Sequence, residues 1–218
     1  MIAGLIPATG PAPLGPNVTS AQARKAFAEA GLAHLPVCSD EGIFLGMLSL
    51  AMLRPRMASI GSLLPSLEAV RVGPEASLFD VASLMHLHRL TALPIVSGEG
   101  KLMNLLTSSD VLGQVAALSA ITTRGGVIVL SVGLYDYSLA EIARLVEAND
   151  VKILSTLLSN PDEAMNLEVT LKLNTTDLNA VISTLHRFNY NVTSYSSQGA
   201  TDDYYQERYE ALLAYLRV

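Results

Sequence analysis

Ala92-Leu93-Pro94-Ile95-Val96, Gly98-Glu99-Gly100 and Leu102-Met103-Asn104-Leu105-Leu106-Thr107-Ser108-Ser109-Asp110 are the segments from which the architecture follows. Leu93 to Val96 and Leu102 to Leu106 are short apolar runs separated by a glycine turn, and Ser108 opens a helix, so the spacing predicts a hairpin feeding a helix. Upstream, Gly73-Pro74 makes a turn, and Ser77 with Asp80 three residues on forms a capping box. The helix they open carries Leu78, Val81, Leu84 and Met85 as its apolar stripe.

The same order occurs once before. A shift of 58 residues lays residues 1–53 over 59–111 without a gap, with 12 identities in the 53 pairs. Ile2 to Pro7 lies over Ile60 to Pro65, Gly15-Pro16 over Gly73-Pro74, Leu35-Pro36-Val37 over Leu93-Pro94-Ile95, and Glu41-Gly42 over Glu99-Gly100. The shared glycines and prolines stand where the backbone is most constrained, which makes chance a poor explanation. In the first copy Thr19 caps an alanine-rich helix that ends at Gly31. Each copy reads strand, helix, strand, strand, helix.

From about Thr122 the pattern changes. Val127 to Val132 is a β run, and Ser138 to Glu141 is a capping box before a helix with Ile142, Leu145 and Val146 turned inward. Val151 to Leu158 and Asn166 to Leu173 read as strands. Leu178, Val181, Ile182, Leu185 and Phe188 recur at helical spacing, and a last strand follows from Asn191 to Tyr195. This is the β-α-β-β-α-β plan of ferredoxin-like sheets. A polar turn, Ser196 to Asp203, leads to a terminal helix with Tyr205, Tyr209, Leu212, Leu213 and Leu216 on one side. The fold class is therefore α/β, of α+β character, with expected boundaries at 1–58, 59–120, 121–198 and 199–218.

Composition narrows the function. The 218 residues carry 20 acidic and 14 basic side chains, a net charge of −6, which lacks the basic footprint of a nucleic-acid binder. Only 16% are charged, fewer than is usual for several separate domains, so surface buried between domains or subunits is expected. The mean hydropathy is +0.37, yet the longest strongly apolar run, Ile43 to Leu53, is too short to span a bilayer. The apolar start meets Pro7 without a basic flank, unlike a secretory signal. The single cysteine, Cys38, sits in an apolar stretch as a buried thiol and fits a reducing, cytoplasmic setting.

Enzyme and metal motifs fail. His86 and His88 are two apart and share no helix face, so no metal site is expected. Gly98-Glu99-Gly100-Lys101 lacks the spacing and the Ser/Thr of a phosphate loop. No Gly-x-Ser-x-Gly or His-Glu-x-x-His occurs, and His34 and His186 show no sequence partner.

The x-Leu-Pro segments at Leu35-Pro36 and Leu93-Pro94, with the ending Leu105-Leu106-Thr107-Ser108-Ser109-Asp110, resemble a tandem pair of CBS domains, a Bateman module. The last third resembles an ACT domain. Together the modules resemble the small CBS-ACT proteins of the acetoin-utilisation AcuB type. The resemblance implies a non-catalytic sensor with no obligatory cofactor. An adenosine nucleotide of the AMP, ADP or ATP kind would lie in the CBS cleft, its adenine against the backbone at Ala92, Leu93 and Pro94. The ribose would meet Asp110 and the phosphate Thr107 and Ser109, with His34 and Ser49 at the paired cleft. It further implies a homodimer or higher oligomer and an amino acid held near Asp136 in the loop Gly133 to Ser138, although the Pro-Gly common to amino-acid-binding ACT domains is missing there.

The residues themselves leave alternatives open. Asp110 offers acceptor oxygens to a diol beside a helix N-terminus suited to an anion, but Thr107 to Asp110 is equally a capping box. In the first copy Met52 replaces the ribose carboxylate, so that cleft reads as degenerate; Arg54 and Arg56 after it suit either a phosphate or solvent. Asp136 suits either an ammonium group or a solvated turn. The rival to the sensor is a constitutive scaffold with relic clefts.

Overall fold

Thr19 and Ser77, 58 residues apart, serve the same purpose at two helix starts. The Thr19 side chain accepts from the Gln22 N–H and the Gln22 side chain closes the box on the Thr19 N–H; Ser77 and Asp80 do likewise. The helices they open are α1 (Ser20–Ala30) and α2 (Leu78–Leu87). Gly31 ends α1 at φ +64°, a left-handed conformation in which glycine carries no Cβ penalty. The computed structural model describes residues 10–160 and 165–197, and the chain divides into two units, Met1–Gln114 and Val115–Val218.

In the first unit each helix is followed by a hairpin. β1 (His34–Cys38) pairs with β2 (Phe44–Ser49), and β3 (Ala92–Val96) with β4 (Leu102–Thr107), both antiparallel. Their registers match under the 58-residue shift: His34 faces Ser49 as Ala92 faces Thr107, and each hairpin has a bulge at the same place, Val37/Cys38 and Ile95/Val96. A lead-in segment crosses each. The Leu14 N–H donates to the Pro36 carbonyl and the Cys38 N–H to the Leu14 carbonyl, while Val72 makes the same pair of bonds with Pro94 and Val96. Proline is tolerated at both strand positions because only its carbonyl is needed there.

The two hairpins then exchange bonds. The Phe44 N–H donates to the Gly100 carbonyl at 2.9 Å, and the Leu102 N–H to the Gly42 carbonyl at 3.1 Å. Around this junction Cys38, Phe44, Met47 and Val96 form a buried cluster. The repeats part company at their ends. The second closes with α3 (Ser108–Leu118), whereas the first has one 3-10 turn, Leu50–Met52. Pro55 disfavours helical geometry at Arg54 and cannot donate, which stops a longer helix.

The second unit holds β5 (Gly126–Gly133), α4 (Leu139–Glu147), β6 (Ile153–Ser159), β7 (Asn166–Leu173), α5 (Asn179–Arg187) and β8 (Asn191–Ser197). The antiparallel sheet runs β6-β7-β5-β8, the ferredoxin-like order expected from the sequence. Alternate residues of β5 and β7, among them Ile128, Leu130, Val169 and Leu171, pack against Ile142, Leu145, Val181 and Leu185 of the helices. Boundaries shift slightly. β6 starts at Ile153, with Val151 buried before it, and Leu178 precedes α5 rather than opening it. The terminal helix read from Tyr205 to Leu216 lies outside the described residues.

Gly125 leads into β5 against the end of β7. A Cβ there would collide with the Leu173 carbonyl oxygen, and the neighbouring Lys172 is buried with its ammonium donating to the Gly125 carbonyl at 3.0 Å. Gly125→Ala is therefore expected to cost about 1–3 kcal/mol or more, as overpacking does, read as a lowered thermal midpoint of the full chain.

Candidate functional site

Thr107 ends β4 and Asp110 lies in the first turn of α3. The Asp110 N–H donates to Thr107 Oγ1 at 3.2 Å, while Asp110 Oδ2 accepts from the Thr107 N–H at 2.8 Å and from its hydroxyl at 2.7 Å. The capping role is thus present in full. It also fixes a carboxylate at the mouth of an 11-residue helix, where its orientation no longer depends on solvent. Ser108 ties the same turn to the strand before it, its N–H and hydroxyl both donating to the Thr91 carbonyl at 3.0 and 3.1 Å. Ser109 is exposed.

Ala92, Leu93 and Pro94 are buried in β3, and the Pro94 carbonyl is engaged by Val72. Beside β4, and not lined by those three, lies a cavity of about 260 Å³ bounded by Pro11, Pro13, Cys38, Met103, Asn104 and Leu105. The consecutive residues Leu102 to Leu105 of β4 line this cavity; Thr107, two positions further along the strand, and Asp110 do not. Burial pushes the Cys38 thiol above its ordinary pKa, which makes it an inert wall rather than a nucleophile.

The corresponding place in the first repeat is built differently. Ser49, over which Thr107 aligns, caps the 3-10 turn by accepting from the Ala51 N–H at 3.4 Å. Met52 packs against the core of its repeat instead of offering an acceptor, and Arg54 and Arg56 are exposed. The Met47 N–H donates to the Glu68 carbonyl at 2.9 Å, whereas the equivalent Leu105 N–H goes to the Asn104 side chain at 2.7 Å. The two clefts are unequal in backbone bonding as well as in side chains.

His34 and Ser49 face each other across β1 and β2, as Ala92 and Thr107 do across β3 and β4. His34 has a partner that the sequence did not disclose: Thr91, whose N–H donates to His34 Nδ1 at 3.2 Å. Burial lowers the His34 pKa below the ordinary histidine value, offset in part by the Glu68 carboxylate. Thr91 and Asn104 stand over Ala33 and Gly46, but most of the 53 aligned pairs differ, so mismatch between the repeats does not single them out.

In the second unit, Ser138 accepts from the Glu141 N–H at 3.3 Å and caps α4. A cavity of about 370 Å³ opens between Ser131, Gly133, Asp136, Glu141, Phe188 and Tyr190. The Asp136 carboxylate rests over Gly133, where a Cβ would lie 2.6 Å from Oδ2. Among the described residues no group of three potential metal ligands occurs, and no helix is long and apolar enough to cross a membrane.

Residues 60–117 match the family model of the CBS domain. That span holds the second repeat, with Ala92 to Pro94 and Thr107 to Asp110. Among solved structures, a CBS domain pair/ACT domain protein from Thermotoga maritima is similar at 20% identity, covering 54% of this chain and 98% of its own, with a TM-score of 0.48. An acetoin-utilisation protein of the AcuB kind from Vibrio cholerae is similar at 21% identity over 56% of this chain and 95% of its own, with a TM-score of 0.46. The protein CBSX2, solved with AMP, is similar at 20% identity over 53% and 96%, with a TM-score of 0.45. A search of curated proteins finds no match.

Thr107→Val removes the acceptor for the Asp110 N–H while keeping the shape. It is expected to cost about 1 kcal/mol, within the ordinary range for a lost helix cap, measured by denaturant unfolding at pH 7.

Proposed function

We propose that the chain is a non-catalytic regulatory sensor whose first unit holds an adenosine nucleotide at the second repeat. The observation that carries this reading is the Asp110 carboxylate, held by the Thr107 hydroxyl at the start of α3, the helix that directly follows the strand whose residues Leu102 to Leu105 line the cavity. A ribose diol donates to such a carboxylate, and hydrogen bonds to a charged group are the strong kind. The phosphate lies at the exposed Ser109 near the start of α3, where the helix N-terminus favours an anion, and the base occupies the cavity lined by Leu102 to Leu105 of β4, the strand paired with Ala92–Val96. Met52 and the Met47–Glu68 bond favour an empty first cleft, despite Ser49.

This reading takes 1–58 and 59–120 as the two CBS modules and 121–198 as an ACT-like domain of an AcuB-type protein. It conveys the ligand's bias to a second copy of the chain. Support for a dimer comes from β6, an edge strand without a charged residue that leaves Leu157 and Leu158 half exposed, which soluble monomers avoid. The cavity at Asp136 suits the ammonium group of an amino acid. A ligand shifts such an equilibrium only by its differential affinity for the two states.

Isothermal titration with AMP, ADP, ATP and S-adenosylmethionine tests the sensor. One nucleotide is expected to bind tightly per chain, and Asp110→Asn to weaken it by about 1.5–3 kcal/mol while leaving stability nearly unchanged, because Asn still accepts from Thr107. Absence of binding by all four favours a constitutive scaffold with relic clefts, and two equal sites per chain would contradict the reading of Met52.

A further inference from the structure

Thr91 and His34 clasp one repeat to the other. The N–H groups of Ala33 and His34 both donate to Thr91 Oγ1, at 3.0 and 3.1 Å, and the Thr91 N–H returns a bond to His34 Nδ1 at 3.2 Å. The Thr91 hydroxyl lies 3.3 Å from the same ring nitrogen. An N–H aimed at Nδ1 requires a lone pair there, so the arrangement selects the tautomer with its proton on Nε2. The repeat symmetry does not supply this contact. Ala33 stands in the place of Thr91 and Ala92 in that of His34, so the clasp is one-sided on a joint that is otherwise two-fold.

We propose that this clasp is a proton-sensitive joint between the two repeats, closed on the neutral imidazole and opened when Nδ1 takes a proton. In the imidazolium both ring nitrogens are donors, and Nδ1–H would face the Thr91 N–H. Whether the ring turns away or Nδ1–H donates to Thr91 Oγ1, 3.3 Å off, the Thr91 N–H loses its acceptor. The nearby groups set the sense of the switch. Ser49 across the strand pair and Ser108, bonded to the Thr91 carbonyl, are uncharged. Glu68, on the lead-in to the second repeat, favours the imidazolium, but burial opposes it more strongly and lowers the pKa. Glu68 is shared with His88, whose Nδ1 lies 3.5 Å from Oε2. With the folded value below the unfolded one, the unfolded chain binds more protons between them. The joint's contribution is therefore complete above the ordinary histidine pKa and is lost as pH falls through the folded value.

The test is NMR of the full chain between pH 8 and pH 5, which is tractable because there are four histidines, 34, 86, 88 and 186. At the alkaline end the ring nitrogen shifts should show His34 Nδ1 unprotonated. As His34 titrates, Thr91 amide exchange, corrected for its intrinsic rate, should speed by about tenfold, the loss of one hydrogen bond. His34→Asn, whose Oδ1 stands in for Nδ1, should keep Thr91 protected throughout with that dependence gone, and His34→Ala should leave it unprotected at every pH. A proton on Nδ1 at pH 8, Thr91 protection that ignores the His34 titration, or an unchanged dependence in His34→Asn would each overturn the proposal.

Discussion

Two backbone hydrogen bonds, Phe44 to Gly100 and Leu102 to Gly42, determine what the first unit can be. Each hairpin has only two strands, too few to be stable alone in water. By pairing reciprocally at their turns the hairpins bring Cys38, Phe44, Met47 and Val96 into one buried cluster and set the ends of β2 and β4 in equivalent positions. The glycines at 42 and 100, at φ +80° and +83°, allow the turns that make the exchange possible. The cavity beside β4 and the capped turn at Asp110 take their places from that joint.

Symmetry of backbone does not bring symmetry of chemistry. At the position where the second repeat carries Asp110, the first carries Met52, whose side chain turns to its own core. Where the first repeat has Gly46, with Leu67 packed so closely that a Cβ would meet it at 2.5 Å, the second has Asn104, which takes the Leu105 N–H for itself. His34 and Thr91 add a contact with no counterpart. A duplicated element that keeps its frame and differs at its ends can offer one specialised cleft without losing the joint that supports it.

Much of this was legible in the letters, for definite reasons. Thr19, Ser77 and their partners three residues on announce helix starts because capping is a local interaction. The alternation of Leu167, Val169, Leu171 and Leu173 announces a half-buried strand because its period is two. The fold class and the ferredoxin-like order followed from such signals. What stayed hidden depends on contacts far along the chain. His34 looked partnerless because Thr91 lies 57 residues away, and the engagement of the Pro94 carbonyl by Val72 is a matter of tertiary pairing. The stunted helix after Ser49 was readable in principle from Pro55, whose effect on Arg54 is local. Asn104 against Gly46 was visible as a mismatch, but its capture of the neighbouring N–H is a matter of geometry.

The central claim is that one of the two related clefts, the one at the second repeat, holds an adenosine nucleotide. Hydrogen exchange of the full chain, with saturating AMP, ADP or ATP in turn and without nucleotide, tests it most directly because it reports location. The account predicts that at least one of these slows exchange in residues 10–14 and 102–110 and leaves 42–52 largely unchanged. Slowing confined to 42–52, or to the second unit, or no slowing with any of the three, would contradict it.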